Sequence, residues 1–360
     1  MPEALTLEMV AALFRANPDI TIGTRGRRIA FMNPAAQRFF GGDLTGQSAS
    51  ALLPESVLQT QTSTCAASAT IRGRRAVLTA SAAGIYRLYY ITFPDRKTQG
   101  IPVPEQHWSV LSNLGMLAGH FMRDARERGS EKDIQYACKL TKCYYQLHRW
   151  FMNMSTLHAL EQNTLPFQPE ALNCAELLRR MAGSTEFFTQ ARGIQVLTDL
   201  PEQMPPCLLD GELMERMMLN LLLNSLLHCD EGGRVRLGLH LTRQDLVITV
   251  HDTGSGIPPE RLGELFSGGD VRSARDEDEK AAGYGLAVAS GIAALHGGRM
   301  LVESTDHIGT TVKVMLPRKE PGELKFRTTP PDDMYTYRTR VLSGLSDFLT
   351  DEDFLEEMPV

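Results

Sequence analysis

Two asparagines stand four residues apart in an otherwise apolar stretch that runs from Arg216 to His228. The apolar pattern predicts a helix, and the spacing puts Asn220 and Asn224 on the same face of it. A buried amide is costly unless it is satisfied, so two on one face indicate a polar wall that faces a ligand. The oxygen of an Asn suits Mg²⁺, which binds nucleotides through their phosphates and few protein ligands. The alternative is that both side chains cap neighbouring backbone.

A second polar group follows a predicted strand, Leu246 to Val250, in which apolar side chains alternate. Asp252 comes at the end of this strand, and Gly254 and Gly256 then allow the backbone to approach a planar ligand closely. A buried carboxylate beside glycines can accept a hydrogen bond from an exocyclic amine, which adenine carries. An ordinary strand-to-helix turn would use the same residue types.

A third, glycine-rich stretch precedes another predicted helix. Gly283 and Gly285 come directly before it, and the amide groups at a helix N-terminus can receive phosphates. Leu286 begins the core face of this helix, and Gly297 ends it in the C-cap role. A strand, a turn that contains Thr310 and a last strand are predicted to follow.

In this order the three stretches resemble the asparagine and glycine boxes of the GHKL superfamily, which includes histidine kinases, DNA gyrase B, the Hsp90 chaperones and MutL. The resemblance implies a Bergerat-type α/β sandwich that binds ATP with Mg²⁺. It implies that Asn224 binds the metal ion, that Asp252 binds the adenine amine and that Thr310 supports the adenine contact. Nine residues would form the nucleotide pocket: Asn220, Asn224, Asp252, Gly254, Gly256, Gly283, Gly285, Leu286 and Thr310.

The residue four positions before the metal ligand separates two kinds of chemistry in this superfamily. The ATPases have a Glu there, which acts as general base for the attacking water. This chain has Asn220, as histidine kinases do, so the resemblance implies phosphoryl transfer to a protein residue rather than hydrolysis. Phe266 matches the phenylalanine box, and residues 267–280 would form a mobile lid. The lid carries three candidate phosphate contacts, which an ordinary solvated loop would also explain: Arg272, Arg275 and Lys280.

Two departures from the family pattern affect the pocket. Ala281 replaces the first glycine of the third box, and Leu227 stands where many kinases have a Lys that reaches phosphate. We therefore expect weaker nucleotide affinity than is usual in the family.

The family's phosphoacceptor motif, a His followed by an acid and then by Arg-Thr-Pro, is not found in the sequence. Aligned on the hairpin, the acceptor position falls on Glu105. The two candidate acceptors are His107, which is near that position, and His120, which shares a polar face with Asp124. Phe121 follows His120 where the family has its acid. Each His is equally explained as a structural or merely exposed residue.

Apolar residues recur every three or four positions between residues 105 and 162, which predicts two helices. Gly129 breaks the pattern, and Ser130 can cap the second helix, with Asp133 at the capping-box position. A two-helix hairpin cannot bury two apolar stripes alone, whereas a dimeric four-helix bundle does. The sequence therefore predicts a dimerisation hairpin and a homodimer.

The amino-terminal region is predicted to be a mixed domain. A hairpin is expected from Ile20 to Phe31, and Asn33 followed by Pro34 is expected to start a short helix. Two further strands are predicted at residues 75–81 and 84–93. This order resembles a PAS sensor domain; the alternative is a small α/β domain used only for dimer contacts.

Composition excludes some partners. A net charge of −6 argues against nucleic acid, which needs a concentrated basic surface. No apolar run approaches the ~18 residues of a transmembrane helix. The six cysteines form no C-x-x-C pair, which favours reduced thiols in the cytoplasm. The acidic end of the chain is predicted to contain a docking helix, on this protein or on a partner, with four apolar residues on one face: Val341, Leu345, Phe348 and Leu349.

Together these features predict an α+β multidomain protein: a PAS-like α/β domain (1–98), a two-helix dimerisation hairpin (103–163), a GHKL ATP-binding catalytic domain (166–318) and an acidic tail with an amphipathic helix (319–360). The resemblance implies a sensor histidine kinase of a two-component system, which would pass phosphate to the receiver domain of a response regulator. The alternative is a degenerate, kinase-like regulator that binds nucleotide without phosphorylating a His. A serine kinase acting on a partner, like the anti-sigma factors, is less favoured because those proteins lack the long hairpin.

Overall fold

The computed structural model describes residues 20–60, 64–72, 74–83, 85–92, 105–258, 284–320 and 334–355. Within these ranges the elements form an amino-terminal sheet, a helical hairpin, a second α+β unit and a carboxyl-terminal segment. None of the helices in these ranges combines the length and apolar composition that a membrane crossing requires.

The amino-terminal sheet is antiparallel, with the strand order β2-β1-β5-β4-β3. Its strands are β1 (Ile20–Arg25), β2 (Arg28–Met32), β3 (Thr64–Ile71), β4 (Arg74–Ala83) and β5 (Tyr86–Thr92), and the short helices α1 (Pro34–Phe40) and α2 (Glu55–Leu58) pack against it. The predicted hairpin is confirmed as β1 and β2. Asn33 caps α1, because its Oδ1 accepts hydrogen bonds from the amides of Ala36 at 2.9 Å and Thr21 at 3.0 Å. The PAS resemblance of this domain stays a prediction.

The hairpin consists of the long helices α3 (Glu105–Arg128) and α4 (Glu131–Glu161). The predicted break is confirmed at Gly129, which has a φ of +65°. The predicted cap is confirmed as well, since Ser130 Oγ accepts a hydrogen bond from the amide of Asp133 at 3.3 Å. The apolar stripe of α4 contacts two neighbours. Its first half faces α3. In its second half Met154 and Leu157 are buried, and Leu157 packs into the core of the second unit.

The second unit places three helices on one face of a mixed sheet, with the strand order β11-β12-β10-β9-β7. Its elements are β6 (Glu170–Leu172), α5 (Cys174–Thr189), β7 (Gln195–Asp199), β8 (Cys207–Leu209), α6 (Gly211–His228), β9 (Arg234–Leu241), β10 (Asp245–Asp252), α7 (Gly285–Leu295), β11 (Arg299–Thr305) and β12 (Gly309–Pro317). Alternation along β10 explains the layering: Leu246 and Ile248 face the helices, and Val247 faces the opposite side. The predicted order of helices and strands is confirmed here.

The two sheets are continuous with each other. Strand β3 pairs antiparallel with β11, from Met300 opposite Ser68 to Glu303 opposite Cys65, which gives one sheet of ten strands. Leu301, and with it Val247 of β10, packs into the same core cluster as the amino-terminal domain. The sequence does not predict this junction, since β3 consists mainly of Ala, Ser and Thr, which give a weak strand signal.

A buried His fixes the carboxyl-terminal end of α7 to the start of α6. His296 Nε2 accepts a hydrogen bond from the amide of Asp210 at 3.1 Å, and Nδ1 lies 2.9 Å from the carbonyl oxygen of Ile292. Both contacts are satisfied when the ring is neutral with its proton on Nδ1. Burial lowers the pKa of His296 below its ordinary value of 6.5.

The stability of the fold is therefore expected to fall with acidification. Because the pKa of His296 is lower in the folded than in the unfolded chain, its contribution is present above about pH 6.5 and is lost as the pH falls below that value. Urea unfolding from neutral pH down to about pH 5 measures this slope. We expect the slope to become shallower in His296→Gln, and an unchanged slope would contradict the assignment.

Candidate nucleotide-binding site

Asp252 lies at the end of the central strand β10 and is only 2% exposed. Its Oδ1 accepts hydrogen bonds from the amides of Gly254 at 3.1 Å and Thr310 at 3.2 Å, and Ser225 of α6 adds a side-chain hydrogen bond. Burial is the main cause that raises the pKa of Asp252 above its ordinary value, and these three hydrogen bonds oppose it. The carboxyl group is thereby held in one orientation before any ligand arrives.

The glycines after β10 are required by the protein's own backbone. A Cβ on Gly254 would collide with the carbonyl oxygen of His228, at the end of α6. Gly256 has a φ of +70°, and a Cβ there would collide with the carbonyl oxygen of Thr305. The close approaches at these two glycines are between segments of the chain itself. The close approach of a planar ligand at the same positions stays a prediction.

A small hydroxyl network joins the two turns beside Asp252. Ser304 Oγ lies 3.0 Å from Thr310 Oγ1, donates to the carbonyl oxygen of Gly309 at 3.0 Å and accepts from the amide of Ile257 at 2.8 Å. Thr310 is therefore positioned from both sides, by Asp252 and by Ser304. Sequence reasoning missed Ser225 and Ser304, since single serines in strands and helices carry no signal of their own.

The two asparagines of α6 have different surroundings. Asn224 is partly exposed, and we find no hydrogen bond between its amide and any other described residue. Asn220 is 7% exposed and exchanges two hydrogen bonds with Asn153 of α4, at 3.0 and 3.3 Å. Its amide also donates to the carbonyl oxygen of Arg216 at 3.0 Å. The two predicted ligand-facing asparagines thus differ: Asn220 binds the hairpin, whereas the amide of Asn224 has no hydrogen-bond partner among the described residues.

The beginning of α7 borders the same region. Gly285 is its first residue, and a Cβ there would lie 2.9 Å from Asn220 Oδ1. The cap residue Tyr284 gives no side-chain hydrogen bond to the first amides of the helix, which suits an anion at this end. Leu286 is buried in the core, as predicted for its side chain. Several expected residues lie outside the described ranges: Phe266, Arg272, Arg275, Lys280, Ala281 and Gly283.

Residues 209–320 match the family HATPase_c, described as "Histidine kinase-, DNA gyrase B-, and HSP90-like ATPase". This part of the chain belongs to that family. The matched range contains Asn220, Asn224, Asp252 and Thr310, together with the glycines around them. The resemblance to bacterial sensor histidine kinases is confirmed for this HATPase domain, and so is the predicted α+β fold class.

Curated relatives of the chain are adaptive-response sensory kinases named SasA. The protein from Microcystis aeruginosa is 34% identical over 145 residues, which are 40% of this chain and 36% of that protein. The one from Synechococcus elongatus is 30% identical over 164 residues, 45% and 42% of the two chains. The chain therefore spans less than half the length of these relatives.

Solved histidine kinase structures resemble parts of the chain. Full-length ShkA in complex with AMPPNP is 20% identical, with a TM-score of 0.48 over 61% of this chain and 46% of that one. The Acinetobacter baumannii histidine kinase AdeS is 14% identical, with a TM-score of 0.42 over 59% and 97%.

The two candidate phosphoacceptors lie on α3, outside the HATPase domain. His107 is in the first turn of α3, and its side chain is outside the described part of the structure. His120 is exposed and lines an open groove of about 770 Å³ between α3, α4 and the carboxyl-terminal segment. None of the described residues of the nucleotide site lines this groove.

Substitutions at Asp252 and Asn224 are expected to separate adenine recognition from metal binding. In Asp252→Asn the amide oxygen can still accept from Gly254 and Thr310, but its NH₂ group then opposes the adenine amine. We expect ATP affinity to fall by roughly tenfold or more, the effect of losing a charged, buried hydrogen-bond partner. Asn224→Ala should abolish the Mg²⁺ dependence of binding, because the metal loses its protein oxygen.

Isothermal titration calorimetry with and without Mg²⁺ measures both effects. Asp230→Asn is the matched control, because Asp230 is exposed on the loop after α6. Equal ATP affinity in the wild type and in the Asp252 and Asn224 variants would rule out the site.

Proposed function

We propose that this chain is a sensor histidine kinase of a two-component system. It binds Mg-ATP in the HATPase domain, transfers the γ-phosphoryl group to a His of the hairpin and passes it to an aspartate in the receiver domain of a response regulator. The names of the curated relatives, adaptive-response sensory kinases, support this proposal.

The observation that carries the proposal is the amide at position 220. A hydrolase needs a base beside the nucleotide to deprotonate water. An amide cannot accept that proton, and Asn220 is already engaged with Asn153 of the hairpin. The position that would serve hydrolysis in a related ATPase here connects the nucleotide domain to the helix pair that carries His107 and His120. Transfer to a protein side chain is the reaction that this arrangement favours.

The described residues fit a Mg-nucleotide. Asp252 presents an oriented carboxyl group for the adenine amine, and the first amides of α7 lack a side-chain cap. The amide oxygen of Asn224 has no partner among the described residues and would be available to a metal ion. Mg²⁺ would neutralise the charge that develops on the phosphate oxygens. Because phosphoryl transfer depends mainly on positioning and charge neutralisation, the protein's part is to hold the nucleotide and to bring a nucleophile in line.

His120 is the exposed candidate for that nucleophile. A neutral imidazole nitrogen attacks the γ-phosphorus, the bond to the β,γ-bridging oxygen breaks, ADP leaves and the ring proton passes to a base. Phe121 occupies the place of the family's acid, and Asp124 is a carboxylate on the same polar face, four residues after His120. That carboxylate is 3.4 Å from Arg128 in an ion pair. We therefore expect the transfer to be slow.

The second candidate function is a degenerate regulator that binds nucleotide and a partner without phosphorylating a His. Two observations favour it: Phe121 stands in place of the general base, and the groove of His120 is walled by residues of the chain itself. In this function the HATPase domain would act as a nucleotide-dependent conformational element.

We further propose that the chain is a homodimer formed through the hairpin and located in the cytoplasm. Large apolar side chains remain exposed on α3 and α4, which a partner hairpin would cover: Val110, Met116, Leu117, Tyr136, Leu147 and Trp150. All six cysteines are free, in keeping with a reducing compartment.

Labelling with γ-³²P-ATP tests the proposed transfer. We expect slow formation of a label that is lost in acid and stable in base, which is the behaviour of phosphohistidine. The label should disappear in His120→Gln and persist in His107→Gln. Retention in both variants would remove His107 and His120 as acceptors, and a chain that binds ATP but is never labelled would favour the regulator.

Replacement of Leu147 tests the proposed dimer. Leu147→Glu puts a charge into the apolar surface that a second copy would cover, at a cost of several kcal/mol by order of magnitude. Multi-angle light scattering should report a dimer for the wild type and a monomer for Leu147→Glu. Arg243→Glu, at an exposed position on the turn between β9 and β10, is the control and should stay dimeric. A monomeric wild type would contradict this part of the proposal.

A further inference from the structure

The carboxyl-terminal segment, residues 334–355, is built into the core of the protein. It begins with α8 (Met334–Gly344) and ends with a 3₁₀ turn at Glu352–Phe354. The apolar face predicted from the sequence docks on this protein: Val341, Leu345, Phe348 and Leu349 are each at most 2% exposed. The helix ends at Gly344, so of these four residues Val341 alone lies within it. Gly344 packs closely on α6, since a Cβ there would lie 2.8 Å from Leu219. We call residues 334–355 the tail segment.

On one side the tail segment binds the hairpin helix α4 through charged and polar contacts. Asp347 forms an ion pair with Arg149, in which both side chains are 10% exposed, and Gln146 donates to the same carboxylate at 3.1 Å. His148 Nδ1 lies 2.7 Å from Ser343 Oγ. Removal of Asp347 would take an ion-pair partner from Arg149, whose charge is largely buried, and this is unfavourable.

On the other side the tail segment binds the HATPase domain. Arg340 donates to Glu215 Oε1 at 2.9 Å, and the Glu215 side chain is 4% exposed on α6. The guanidinium carbon of Arg192 lies 4.2 Å from the centroid of the Phe348 ring, in a cation–π contact. The Tyr337 hydroxyl lies 3.1 Å from Ser184 Oγ of α5. The tail segment thus binds α4 and α6 at once, beside the contact between Asn153 and Asn220.

The end of the tail segment lies along the groove of His120. Phe354 stacks on Tyr145 of α4 with the ring centroids 5.6 Å apart, and Arg126 of α3 donates to the carbonyl oxygen of Leu355 at 2.9 Å. Four tail residues form one wall of this groove: Arg338, Thr339, Leu342 and Phe354. None of the described residues of the nucleotide site lines this groove, so within one chain we expect the hairpin and the HATPase domain to rearrange before His120 meets a nucleotide.

We propose that the tail segment is an autoinhibitory clamp, which fixes α4 to α6 through Arg149–Asp347 and Arg340–Glu215 and keeps His120 away from the nucleotide until the tail segment is released. That the tail segment fixes α4 to α6 follows from these contacts alone and does not depend on whether the chain is a kinase. The inhibitory consequence rests on the proposed kinase function.

The experiment uses the full chain and a reversible change of charge. Asp347→Lys sets a cation against Arg149 and should open the clamp, whereas Arg149→Glu combined with Asp347→Lys restores the ion pair with its signs reversed. Glu352→Lys makes the same change of charge at an exposed position of the tail segment and is the matched control. Should Asp347→Lys fail to fold by circular dichroism, Arg340→Gln opens the clamp from the α6 side.

Three measurements are compared: hydrogen–deuterium exchange, initial labelling by γ-³²P-ATP, and ADP affinity. In Asp347→Lys we expect faster exchange in the tail segment, α4 and α6 together, labelling that is faster by roughly tenfold and unchanged ADP affinity. The double variant should show the exchange and labelling rates of the wild type, and Glu352→Lys should match the wild type in all three measurements.

The failures can be told apart. A folded Asp347→Lys that is labelled no faster than wild type overturns the clamp and leaves the kinase intact. If no variant is labelled, the proposed kinase function fails. Hydrogen–deuterium exchange then tests by itself whether the tail segment fixes α4 to α6. If Asp347→Lys exchanges faster in the tail segment alone, with the exchange of α4 and α6 unchanged, the proposed clamp is overturned.

Discussion

Helix α6 is enclosed by its neighbours, and this enclosure is the constraint on which the site depends. Twelve of its residues are buried, as the nearly continuous run of Leu and Met requires. The sheet lies on one side, α7 on another, and α4 and the tail segment cover the rest. Each buried polar residue on such a helix needs a partner, and the partners come from different elements. Glu215 pairs with Arg340 of the tail segment, Asn220 with Asn153 of the hairpin, and Ser225 with Asp252 at the end of β10. Asn224 has no hydrogen-bond partner in the part of the chain that the structure describes.

Position 220 has a double role because of this enclosure. Its chemistry excludes the proton acceptance that water attack requires, and its geometry binds the hairpin to the nucleotide domain. A change at this position would therefore alter the choice of reaction and the docking of the hairpin together. Arg216, one turn earlier, also helps to dock the hairpin, because it donates to the Thr156 hydroxyl of α4 at 2.5 Å.

Local signals in the sequence predict much of the fold. Asn33 and Ser130 are found at the helix starts that their side chains specify, and the three nucleotide boxes predict the order β10, α7, β11 and β12. What the sequence does not predict are contacts between distant residues that carry no local pattern. Asn153 meets Asn220 across 67 positions, and only the tertiary packing brings them together. The destination of the tail segment is unpredictable for the same reason, since an apolar helical face specifies that a partner exists but not which one.

The junction between β3 and β11 has a consequence for the solubility of the parts. In the whole chain β11 has neighbours on both sides, and Leu301 and Met315 lie against the amino-terminal core. A HATPase domain cut free of that core would present an unpaired strand edge beside an apolar face, which is the combination that recruits strands from other molecules. In the whole chain the amino-terminal domain covers that edge and that face, and we expect this cover to keep the HATPase domain soluble.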